Sequence, residues 1–129
     1  MKLLVVTSQP ITAARLRDVL PGEVDPQQAE VMVVAPALQP SGFKFWLSDA
    51  DEAIARAQEV SSETVEQLGE AGVRATGDTG ESDPVQAIED ALSTFRADRI
   101  VIFTAGKGYR EDFDAAELRQ RFGIPVDRF

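Results

Sequence analysis

The sharpest chemical cluster in this chain lies near its C-terminal end. An apolar run at 99–105, RIVIFTA, leads directly into Gly106-Lys107-Gly108. Glycines on either side of a lysine let backbone N–H groups approach an anion while the ammonium supplies charge, which is how a phosphate is cradled. The same three residues also make an ordinary strand-to-helix turn with a solvated lysine, and a lone Gly-x-Gly does not separate the two. A second candidate group is Thr7-Ser8-Gln9, which follows the run KLLVV. A third is Ala35-Pro36, which follows VMVV. Thr104 stands just ahead of the glycine pair.

What the chain lacks narrows the chemistry further. It has no cysteine and no histidine. Thiolate catalysis, disulfides, Cys/His zinc sites and a Ser-His-Asp triad are therefore excluded. Acid–base work would fall to carboxylates, lysine or the single Tyr109, and no arrangement of acid, base and nucleophile is visible, so no catalytic residue is assigned. A Mg²⁺ site built only from carboxylates stays open, but no metal ligand is assigned. The turn GDTGESDP at 77–84 is rich in acids, and its plain role is capping: Asp83 as N-cap, Pro84 at the first helical position and Gln86 three beyond the cap.

Net charge is −9, and it is concentrated. Residues 49–90 hold twelve acids against Arg56 and Arg74, a net of −10. Such a surface repels phosphate backbones, so neither nucleic acid nor an anionic membrane is an expected partner. The acidic stretch reads as a solvated helix face. No apolar stretch approaches the ~20 residues that span a bilayer. The opening MKLLVVTSQP reads as a first strand rather than a leader, and the chain is expected to be a cytoplasmic protein of one domain, 1–129.

The elements that must position these residues alternate. Short Val/Ile-rich runs at 2–8, 30–38 and 99–105 do not alternate polar with apolar, as strands buried on both faces do not. Weaker strands are expected at 73–77 and 124–129. Ala50, Ala53, Ile54, Ala57, Val60, Val65, Leu68 and Ala71 follow one helix face. That helix is expected to start at a Ser48 or Asp49 cap, end at Gly72 and run about 23 residues, ~35 Å. Val85, Ile88, Ala91, Leu92 and Phe95 mark another helix. A third opens at Asp114, with Glu117 completing a capping box and Phe113 and Leu118 a staple, and stops at Gly123. A short helix runs from Thr12 to Leu20. The sum, β-α-β-α-β-α-β-α-β, means an α/β fold: a parallel sheet with helices on both faces. Ligands then bind outside the carboxyl ends of the strands, where strand order reverses. The loop QPSGFKFWL at 39–47 sets Phe43, Phe45 and Trp46 either as a lid over that region or as cover for the sheet.

KLLVVTSQP, VMVVAPAL, a long helix ending in EAGV, GDTGESDPVQAIEDALSTFRADRIVIFTAG and RQRFGIPV, in that order, resemble the universal stress protein superfamily across nearly the whole chain. The resemblance implies a Rossmann-like, HUP-type three-layer sandwich with five parallel strands ordered 3-2-1-4-5. It implies a homodimer paired through the last strand, which opens with Ile124 and ends with Phe129, and in many members a bound ATP or AMP, with Mg²⁺. Thr7, Ser8, Gln9, Ala35, Pro36, Thr104, Gly106, Lys107 and Gly108 are then the residues expected around the ligand. Nucleotide-binding members carry Gly, two residues, Gly, nine residues and Gly-Ser or Gly-Thr after the fourth strand. Here Gly106 begins well, but Tyr109 takes the second glycine's place and Arg119-Gln120 that of the closing pair, so Gly106-Lys107-Gly108 reads as a shortened remnant of that loop.

Related folds fit less well. A phosphoacceptor receiver would use Thr104 but needs paired acids after the first strand. Nucleotidyltransferases need a histidine, and ATP pyrophosphatases need Ser-Gly-Gly where Thr7-Ser8-Gln9-Pro10 stands. Three functions are weighed. They are a homodimeric small-ligand regulatory protein that is not an enzyme, with adenine nucleotide as the candidate ligand; a dimeric interaction module that binds no nucleotide; and a slow Mg²⁺-dependent ATPase.

Overall fold

The computed structural model describes residues 1–22, 24–37, 50–80, 84–103 and 115–129. Five strands, β1 Lys2–Thr7, β2 Glu30–Pro36, β3 Arg74–Gly80, β4 Arg99–Phe103 and β5 Val126–Arg128, form one parallel sheet in the order β3-β2-β1-β4-β5. Among the described residues four α-helices accompany them: α1 Ala13–Val19, α2 Ala50–Glu70, α3 Pro84–Thr94 and α4 Ala115–Phe122. This is an α/β Rossmann-like sandwich.

Side-chain alternation along the strands builds two cores, one on each face of the sheet. Leu3, Val5, Val31, Val33, Val101 and Phe103 face Leu16 of α1 and Leu68 of α2. Leu4, Val6, Val34, Ile100, Ile102 and Val126 face Ala87, Ile88 and Ala91 of α3 and Leu118 of α4. Right-handed crossovers require this split. The connections β1-α1-β2 and β2-α2-β3 step one way across the sheet, and those through α3 and α4 step the other. The order reverses beside β1. A third, smaller cluster joins Ala35 and Ala37 to Ala53, Ala57 and Val60 of α2.

The ends of the helices follow local chemistry. Thr12 caps α1, its hydroxyl accepting from the Arg15 N–H at 3.1 Å. Gly72 after α2 and Gly123 after α4 adopt φ of 82° and 69°, the left-handed turn that ends both helices. Gln86 donates to Asp90 one turn along α3, at 2.9 Å.

Several boundaries depart from the sequence reading. β3 does not stop at Gly77; it starts at Arg74 and continues to Gly80, because β2 pairs with it residue by residue as far as Pro36 opposite Gly80. Gly77-Asp78 is therefore mid-strand, not the strand's carboxyl end. β2 ends at Pro36 and β5 is only Val126–Arg128. A 3-10 turn, Pro26–Gln28, with Asp25 as its cap, was not anticipated. On α2, Ile54 is 44% exposed rather than buried, while Ser61 and Thr64 are buried. The buried stripe runs 53-57-60-61-64-68, so the helix is rotated toward its small and polar side chains. That rotation brings α2 close to β3 at Gly77. The expected caps Ser48, Asp49, Asp83 and Asp114 and the staple residue Phe113 lie outside the described residues. Among the described residues, no helix is long and apolar enough to cross a membrane.

Candidate functional site

Beyond the carboxyl ends of β1 and β2 the chain leaves a cleft of about 350 Å³. Ser8, Gln9 and Pro10 come from the end of β1, and Ala35 and Pro36 from that of β2. Ala53, Arg56, Ala57, Glu59, Val60 and Glu63 form the α2 wall. The space exists because the helix face here carries alanines: Ala53, Ala57 and Val60 pack on Ala35 without filling the end of the sheet. The floor is thus apolar and the rim charged, with Arg56, Glu59 and Glu63 all exposed. Among the described residues, two carboxylates against one guanidinium leave the rim net negative.

Two threonines fix the cleft's shape without lining it. Thr7 is 1% exposed. Its hydroxyl donates to the Gln9 carbonyl at 2.6 Å and accepts from the Gln9 N–H at 3.2 Å. This closes a tight turn after β1 that sends Ser8 and Gln9 toward α2. Thr64, fully buried, accepts from the Ile11 N–H at 3.2 Å and so pins the far side of the same loop to α2. Ser8 differs from both. Its hydroxyl oxygen is buried and has no hydrogen-bond partner among the described residues. A buried hydroxyl left unpaired costs about 1–3 kcal/mol, and a ligand that pairs it recovers that cost.

Of the residues the sequence singled out, Ser8, Gln9, Ala35 and Pro36 meet at this cleft, while Thr7 is consumed by its own turn. Thr104, Gly106, Lys107 and Gly108 lie outside the described residues, as do Phe43, Phe45 and Trp46. The α2 wall was missed as a site because Ala53, Ala57 and Val60 read simply as a core face. A signal was present, since a helix face of alanines leaves room where leucines would fill it. Thr64 was missed as well. A threonine four residues from both Val60 and Leu68 on an apolar face was its only mark.

An apolar slot with polar groups at its edge suits a base and sugar, whereas the net negative rim does not suit phosphates. Among the described residues no group of three or more acids is placed to hold a metal ion. No protein-family model matches the chain, and no curated protein matches it in sequence.

Proposed function

We propose that this chain is a universal stress protein-like regulatory protein that binds a small ligand, an adenine nucleoside or nucleotide, and is not an enzyme. One observation carries the reading: the cleft at the ends of β1 and β2, lined by an apolar floor and by Ser8, whose buried hydroxyl has no hydrogen-bond partner among the described residues. Its volume is at the low end of the ~300–1,000 Å³ usual for ligand pockets. Base and sugar are the parts that the cleft's own residues suit. Phosphate contacts are assigned from sequence alone, to Gly106, Lys107 and Gly108 after β4.

The test is a thermal-shift titration with adenosine, AMP, ADP and ATP, with and without Mg²⁺. A ligand that binds only the folded state stabilises it by about 2.7 kcal/mol at a hundredfold excess over Kd. Adenosine and AMP are expected to raise the melting temperature saturably, and Mg²⁺ to add little to their effect. No shift with any of the four at millimolar concentration overturns the reading. It would favour the second one, a dimeric interaction module, which one feature supports: no strand lies beyond β3 or beyond β5 among the described residues.

A further inference from the structure

Among the described residues both edges of the sheet, β3 and β5, are open, and they are not alike. β5 is three residues long, whereas β3 is seven residues long and paired to β2 throughout. Soluble proteins usually protect such an edge with charged side chains, proline, a bulge or shortness. β3, Arg-Ala-Thr-Gly-Asp-Thr-Gly, has no proline, keeps an unbroken register, and carries just two charges, of opposite sign, at Arg74 and Asp78. Half of its backbone N–H and C=O groups face outward, because successive residues of a strand alternate their hydrogen-bonding side.

Its side chains also match themselves. Arg74, Thr76 and Asp78 alternate with Ala75, Gly77 and Thr79, and Gly77 is on the α2 face, against Ser61 and Val65. Arg74, Thr76 and Asp78 therefore share the opposite face, and all three are exposed. Neither Arg74 nor Asp78 forms an ion pair among the described residues. In an antiparallel pair of two β3 strands about a two-fold axis through Thr76, each Arg74 stands directly opposite the other copy's Asp78. Such cross-strand pairs bring Cβ atoms within ~4.5–5.5 Å.

The helix above the edge is consistent with this. Helical spacing puts Ile54, Gln58, Ser62, Val65 and Gly69 on the flank of α2 that overlies β3, since Val65 meets Gly77 there. That flank carries no charge between positions 54 and 69. The acids Glu59, Glu63 and Glu70 lie on the other side of the helix, and Glu66 borders the flank beside Ser62 and Gly69. Ile54, 44% exposed, is one of three large apolar side chains left open among the described residues. A two-fold axis at Thr76 sets the two uncharged flanks side by side on one face of a continuous sheet.

We infer that two copies of this chain join through β3, edge to edge and antiparallel about Thr76, with Arg74 paired to Asp78 twice over. This contact is independent of any ligand in the cleft. It differs from the β5 contact that the sequence resemblance implies.

Sedimentation velocity over a range of concentrations tests it, with circular dichroism to check that each variant is folded. Wild type is expected to be a reversible dimer. Thr76→Lys, which sets two ammonium groups opposite each other on the axis, and Arg74→Glu, which sets like charges together twice, should each raise the dimer's Kd by roughly tenfold or more. Arg74→Glu combined with Asp78→Arg should restore the wild-type affinity. A monomer at every concentration overturns the inference, and so does a dimer that both single variants leave as tight as wild type. Failure of the double reversal to recover the dimer overturns the pairing of Arg74 with Asp78.

Discussion

Gly77→Ala is the substitution that most directly tests how α2 is seated on the sheet. A Cβ at this position would lie 2.3 Å from the Ser61 Oγ, 2.9 Å from the Val65 Cγ2 and 3.5 Å from the Ser61 carbonyl oxygen. Comfortable carbon contacts begin near ~3.5 Å. Turning the Ser61 hydroxyl aside would relieve the first contact but not the second, and Ser61 is only 5% exposed, so it has little room to turn. Either α2 lifts or β3 sinks. Overpacking of this kind costs about 1–3 kcal/mol. Loss of glycine's freedom in the unfolded chain returns about 0.4–1 kcal/mol. The net expectation is a destabilisation of about 1–2 kcal/mol. Urea denaturation reads it as a lower midpoint at an unchanged m value. Adding Ser61→Ala to Gly77→Ala should recover part of the loss and no more, because the Val65 methyl remains, so the two changes should be non-additive. A midpoint equal to or above that of wild type would refute the close approach. Strict additivity would show that Ser61 is not what the new methyl group meets.

Two further substitutions separate ligand contact from support. Ser8→Ala removes a buried hydroxyl with no partner among the described residues; stability should hold or rise by up to about 1 kcal/mol while affinity for adenosine falls. Unchanged affinity in the thermal-shift titration would take Ser8 out of the site. Thr64→Val keeps the shape but orphans the Ile11 N–H; it should cost about 1–3 kcal/mol in urea denaturation, and a neutral result would mean that the loop after β1 is not held through this bond.

The strands were legible because a strand in the middle of a parallel sheet must be apolar on both faces, and runs such as LLVV and VMVV serve no other purpose as well. α2 was legible as a helix but not in its rotation. Ile54 was placed on the buried face and is exposed, while Ser61 and Thr64, which the apolar spacing does not include, are buried, since hydropathy favours isoleucine over threonine wherever a face is being chosen. The sheet rewarded closeness instead. Small Ala53, Ala57 and Ser61 let the helix approach, Gly77 received it, and Thr64 found the Ile11 N–H. The extent of β3 was hidden for a related reason. Gly-Asp-Thr-Gly is turn chemistry read alone, and only pairing with all of β2 holds it extended.

The sequence by itself determined the alternation of strands and helices, the helix stops at Gly72 and Gly123, and the absence of thiol and imidazole chemistry. These are properties of single residues or of spacings within one element. Tertiary structure decided which side chains meet across elements. Among the described residues, it turned Thr7 inward to shape a turn, left Ser8 without a partner, opened a cleft where alanines face the ends of β1 and β2, and set Arg74 and Asp78 on one face of an edge strand. The physical reason is that cavities and unpaired groups depend on distances between segments far apart in the chain. Those distances follow from how closely side chains of particular sizes pack, which no periodicity along the chain records.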